Sequence, residues 1–169
     1  MLRISKEYVT DNHSPKNPPV ARCHTGETVV FQTRDCYDDR LAADGSVFER
    51  EKALENPATG PLYIEEAQPG DILKVKIDKI DLNPTGLMRA STSGGAFNDL
   101  VEYRKVRQFD TSGEYLQFND KLRFKIDTMI GVIGTAPKTD TVMTHTPGSH
   151  GGNMDCNKIV AGSTLYLPV

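Results

Sequence analysis

The feature that most restricts the fold is a succession of short apolar runs, each cut off by Gly, Pro, Asn or Asp. They include residues 28–31 (TVVF), 61–64 (PLYI), 71–77 (DILKVKI), 122–126 (LRFKI) and 163–167 (STLYL). Side chains alternate within them. Leu73, Val75 and Ile77 share one face of a half-buried strand, with Ile72, Lys74 and Lys76 on the other. Leu122, Phe124 and Ile126 repeat the pattern, with Arg123 and Lys125 facing outward. Thr25-Gly26-Glu27 and Pro69-Gly70-Asp71 place turns ahead of two of these strands. The expected fold is therefore mainly β: a sandwich-like or barrel-like stack of short strands, with at most one or two short helices, in a single domain over residues 1–169.

One helix is expected over residues 46–54 (SVFEREKAL), with Ser46 as N-cap and Glu49 three positions on, ended by Asn56-Pro57. Residues 85–97 (TGLMRASTSGGAF) read as a loop, either a lid or a plain surface connection. Gly94-Gly95 lacks the strand-to-helix setting of a phosphate loop, so nucleotide binding is not expected.

A net charge of −3 recommends neither nucleic acid nor an anionic membrane surface as partner. No run approaches the ~20 apolar residues of a membrane span. The opening MLRISKEYVT lacks the apolar centre of a signal peptide, which points to the cytoplasm. Cys23, Cys36 and Cys156 are odd in number and contain no CxxC spacing, against a disulfide framework or a cysteine-rich zinc site. The closing GSTLYLPV ends in an apolar strand, which suggests a fragment or one half of a split protein.

Chemistry concentrates in residues 145–156, HTPGSHGGNMDC. His150 and Asp155 are natural ligands for a divalent cation, and Asn153 can coordinate or hold a bound water. Gly151-Gly152 lets the backbone turn tightly or approach a ligand closely. A Gly-rich turn with satisfied polar groups explains the same residues equally well. In TRDCYDDR, Asp35 lies nearest the preceding strand and is the functional candidate, whereas Asp38 and Asp39 read as a solvated acidic turn. Glu65 is a general base or plain surface. His24 opens a turn, and His13 lies in a polar segment expected to wrap the surface; neither is a leading candidate.

Four segments in this order resemble the acetamidase/formamidase family: GETVVFQTRDCYD, NPATGPLYIEEAQPGDILKVKI, GVIGTAP and TPGSHGGNMDCNKIVAGSTLYLPV. The resemblance implies a β-rich sandwich-like fold and hydrolysis of short linear amides, formamide or acetamide, to a carboxylate and ammonia. It implies a longer protein, about twice this length, whose C-terminal half completes the site, so that this piece by itself is expected to be inactive. Amide cleavage needs an activated water and a proton for the leaving ammonia. His150, Asp155, Asn153 and Asp35 are then the expected ligands of a divalent metal, zinc or else calcium. His150 and Asp155 are also the leading catalytic residues, with His145 and Glu65 as further proton-transfer candidates. A small amide substrate and a homo-oligomer are the expected partners, the latter through pairing at the 165–169 edge. Cys156 as nucleophile is a competing mechanism, disfavoured by Asp155 beside it. A non-catalytic domain that kept the fold and a hydrolase of another C–N bond stay open as alternatives.

Overall fold

A computed structural model of the chain describes residues 1–92 and 97–169. Strands of two to six residues dominate. Among the described residues the helical content is a three-residue 3-10 turn, Asn98–Leu100. Among the described residues the strands associate as eight two-stranded pairs rather than as a closed barrel. Gly and Pro close several of these ladders early, as at Gly60-Pro61 after Ala58–Thr59 and Gly134 at the end of Val132–Gly134.

The chain forms two compact units. One comprises Met1–Asp39, Lys52–Lys79 and Met129–Val169. Here Leu2–Ile4 pairs in parallel with Val29–Phe31, and Ala21–Cys23 in parallel with Leu62–Ile64. Ile72–Lys76 pairs antiparallel with Thr164–Pro168, setting Leu73 against Leu167 and Val75 against Leu165. The period-2 reading of this strand holds: Leu73 and Val75 are half-buried, Ile77 is buried, and Ile72, Lys74 and Lys76 are exposed. Ile4, Cys23, Leu54, Ile77, Ile159 and Leu167 form the sealed part of this unit's core. Each such aliphatic side chain contributes roughly 1.5–3 kcal/mol of burial.

The other unit comprises Arg40–Glu51 and Ile80–Thr128. Its longest ladder runs antiparallel between Thr85–Ala90 and Lys105–Asp110. The loop expected at residues 85–97 is thus a strand over its first six residues; Leu87 and Met88 supply the apolar centre that the surrounding small residues obscured. The Gly94-Gly95 reading lies outside the described residues. The expected helix at residues 46–54 does not form. Asp44 Oδ1 accepts the Ser46 N–H at 2.8 Å and Gly45 takes φ +86°, so Ser46 closes a turn instead of capping a helix. Leu41 and Val47 then meet in an antiparallel bridge.

Tyr115–Asn119 and Leu122–Lys125 form a hairpin whose alternation is correct but whose burial is not as expected. Leu122 is 45% and Phe124 50% exposed. What covers Phe124 within its unit is the edge of Phe118, at 5.9 Å between ring centres, with Phe118 stacked in turn on Phe109. Among the described residues, no helix is long and apolar enough to cross a membrane.

Candidate functional site

The HTPGSHGGNMDC segment folds around its glycines. Gly148 and Gly151 exchange backbone hydrogen bonds at 2.8 and 3.0 Å, closing a tight loop with His150 inside it. Gly151–Asn153 then pairs antiparallel with Val132–Gly134, the GVIG segment. Gly151 and Gly152 adopt φ of +103° and +90°. A Cβ on Gly151 would run into the Ile133 carbonyl, and one on Gly152 into the Thr146 carbonyl. The tight turn expected of this pair is formed, and the close approaches its glycines permit are to backbone carbonyls of the chain itself. The Thr135 amide fixes the His150 carbonyl at 2.9 Å.

His150 is buried, and its closest aromatic neighbour is His13, 5.3 Å away between ring centres and inclined by 64°. His13 was expected on a surface wrap. Instead Asn12–His13 pairs antiparallel with Val142–Met143, which draws the ring inward to 9% exposure. The segment is polar in composition, and this pairing with a strand far along the chain is what hid the residue. Thr144, fully buried, anchors the same junction with its hydroxyl near the Asp11 and Glu55 carbonyls at 3.1 and 3.3 Å. Nε2 of both His13 and His150 is buried with no hydrogen-bond partner. Burial, reinforced by the neighbouring His150, pulls the His13 pKa down from 6.5 to about 4.

The remaining candidates lie in other settings. Asn153 and Asp155 converge on Gly131: a Cβ there would sit 2.8 Å from Asp155 Oδ1 and 3.6 Å from Asn153 Oδ1. Asp155 is exposed at φ +44°, and His145 is exposed. Oδ1 of Asp35 accepts the amides of Tyr37 and Asp39 at 2.9 and 2.8 Å. Glu65 pairs with Arg22 at 3.2 Å, and that guanidinium lies 4.3 Å from the centre of the Tyr63 ring, so these three share one solvent-facing cluster. The acidic turn at 38–39 is not solvated throughout. Asp38 has no exposed surface and is bound to Arg34 at 2.7 Å, while Asp39 meets Lys6 at 2.6 Å. Among the described residues, no three His, Cys, Asp or Glu side chains are grouped to hold a metal ion. In the other unit a shallow concavity of about 330 Å³, lined by residues including Arg107, Asp110 and Tyr115, has no imidazole or thiol in its wall.

The comparisons with known proteins place the chain in a family. The family description "Acetamidase/Formamidase family" matches residues 3–147, and the chain belongs to that family. Among solved structures, an acetamidase from Bacillus halodurans is 38% identical with a TM-score of 0.89, over 99% of this chain and 57% of that one. A predicted acetamidase/formamidase from the thermophile Thermoanaerobacter tengcongensis is 35% identical with a TM-score of 0.92, over 99% and 56%. A gamma lactamase from Delftia acidovorans, 18% identical with a TM-score of 0.81, shares the fold. The chain thus spans a little over half the length of the structures it resembles. No curated protein sequence matches it.

Proposed function

We propose that the chain carries part of the site of a metal-dependent hydrolase that cleaves short linear amides, formamide or acetamide, to a carboxylate and ammonia. The observation that carries the reading is His150, buried in a glycine loop with Nε2 partnerless, in a chain of this family. A buried imidazole without a hydrogen bond is costly by itself and suits a residue that holds an ion. Asn153, Asp155 and Asp35 are the further proposed ligands of that ion, and His145 and Glu65 the proposed proton carriers. A divalent cation, zinc or calcium, supplies Lewis acidity and lowers the pKa of a bound water. The main chain that carries His150 is set by the Thr135 amide on the His150 carbonyl and by the Gly148–Gly151 bonds around it, which supports a site formed before substrate arrives.

We further propose that residues outside this chain complete the site and that the chain is the N-terminal part of a longer enzyme. The absence of any three-residue donor group among the described residues supports this, as does the 57% coverage of the Bacillus halodurans acetamidase. Assembly into a homo-oligomer belongs to the same reading; the exposed Ile72 and Tyr166 on the Ile72–Lys76 and Thr164–Pro168 pair support it.

The test is a chimera in which this chain replaces the matching part of that acetamidase. Ammonia release from formamide or acetamide by the chimera, and none from the 169-residue chain, is the expected result. A folded chimera with no turnover on any short amide would sink the proposal in favour of a domain that kept the fold without the chemistry.

A further inference from the structure

We propose that Thr144 is a positioning residue of the hydrolase site: its buried hydroxyl holds the strand of His13 against the start of the His150 loop, and so sets the two imidazoles beside each other. The inference deepens the hydrolase reading and rests on it for the use made of His150. It rests on the structure for the part played by Thr144.

The first support is that the ring of His13 is placed by its main chain. Its Nε2 has no hydrogen-bond partner to hold it. The ladder that carries it, Asn12–His13 with Val142–Met143, is two residues long. A pair of strands that short has little stability of its own, so the ties on either flank decide where the ring stands.

The second support is what those ties are. One residue beyond His13, the buried Ser14 hydroxyl meets the Thr141 hydroxyl at 2.9 Å. Two residues before it, the Asp11 carbonyl accepts the Thr144 amide at 2.9 Å and lies 3.1 Å from the Thr144 hydroxyl. The same hydroxyl lies 3.3 Å from the Glu55 carbonyl, just ahead of the Asn56-Pro57 turn. A threonine has one hydroxyl proton, so the two carbonyls share it. Thr144 is wholly buried, and solvent does not stand in for that proton once it is removed.

Thr144 also stands where the chain leaves this ladder for the histidine loop. The Thr146 amide closes on the Met143 carbonyl at 3.0 Å around it, and His150 follows within the same loop. One side chain thereby joins the segments of Asp11, Glu55 and His150, which are far apart in sequence. Valine would fill the same space with the same branched outline. Only the hydroxyl makes the junction.

The experiment compares Thr144→Val, which keeps the shape and removes the hydroxyl, with Thr144→Ser, which keeps the hydroxyl and removes the methyl group. In the metal-free 169-residue chain the His13 and His150 ring centres are 5.3 Å apart, so a nuclear Overhauser contact should join their ring protons. Thr144→Val is expected to lose that contact and Thr144→Ser to keep it. In the acetamidase chimera, Thr144→Val should lower kcat about 10–100-fold with KM little changed, as a small misplacement does, and Thr144→Ser should stay near the unsubstituted rate. A packing role predicts the reverse order, serine harmful and valine harmless, and that result overturns the inference. So does the contact surviving in a folded valine variant, its loss in both variants, or its absence from the unsubstituted chain. Circular dichroism identifies a valine variant that fails to fold, and Thr144→Ala, which also removes the hydroxyl, then takes its place. If neither folds, the hydroxyl serves folding rather than position and the inference falls. An active chimera whose rate ignores Thr144→Val removes this inference and leaves the hydrolase reading. An inactive unsubstituted chimera sinks the hydrolase reading, and the ring contact still decides the role of Thr144.

Discussion

At Asp38 a carboxylate with no exposed surface meets the Arg34 guanidinium, whose own side chain is 7% exposed. Asp38 also lies 3.4 Å from the Leu54 amide, so it ties two segments of its unit together. Asp38→Ala removes the buried partner of Arg34, which keeps Glu7 and the Lys6 carbonyl, and urea unfolding should show a loss of about 3 kcal/mol. The surface pair Arg22–Glu65 sets the contrast: Glu65→Gln should change stability by less than ~1 kcal/mol. The surface reading holds for Glu65 and fails for Asp38, because a run of acids beside arginines does not disclose which acid folds inward. His13 is a similar case. Its native pKa, about 4, lies below the ordinary 6.5, so protons bind the unfolded chain first. Stability of the metal-free chain is therefore complete above about pH 6.5, falls as pH drops toward 4, and is lower by about 3 kcal/mol below that. His24 moves in the opposite direction: its hydrogen bond to Glu66 raises its pKa, and an NMR titration should show it gaining its proton well before His13 does.

Elements were legible where spacing alone decides them, and illegible where a turn competes. The alternation in residues 72–77 specified both the strand and its buried face, because Thr164–Pro168 pairs along it and places Leu167 in the core. The alternation in residues 122–126 specified only the strand, since burial depends on what lies across from it. The helix expected at residues 46–54 lost to Asp44-Gly45-Ser46, whose side-chain-to-backbone bond stabilises a turn locally. The glycines of the histidine loop were read correctly for their freedom, although the carbonyls they approach come from residues 133 and 146, which no local pattern reveals. Two alanine substitutions separate these contributions. Gly26 has φ +87° and open space around it, so Gly26→Ala should cost only the left-handed strain of about 1–2 kcal/mol. Gly152 has φ +90° and a carbonyl in the way, so Gly152→Ala should cost clearly more in the same denaturation assay and should also displace the His150 resonances.

Across the whole molecule the mainly β class was legible, and so was the family, since the ordered motifs extend over most of the chain. Much less legible was the unequal distribution of buried surface between the two units. Ile4, Cys23, Leu54, Ile77, Ile159 and Leu167 are sealed in the unit that holds the histidine pair, whereas only Leu41 and Phe109 are sealed apolar side chains among the described residues of the other. The latter unit also exposes Met88, Tyr103, Tyr115, Leu122 and Phe124. Local opening free energy follows the apolar surface that an opening exposes, so the unit with fewer sealed side chains should open more readily. Hydrogen exchange read by mass spectrometry is expected to show amides of the Thr85–Ala90 and Lys105–Asp110 ladder exchanging sooner than those of the Ile72–Lys76 and Thr164–Pro168 pair. Phe109→Ala removes the ring on which Phe118 stacks and should abolish the remaining protection in its own ladder, a loss of about 3–5 kcal/mol. Protection around His13 and His150 should survive that substitution. Simultaneous loss in both units would show instead that the chain opens as one cooperative block, with its stability shared more evenly than the buried side chains indicate.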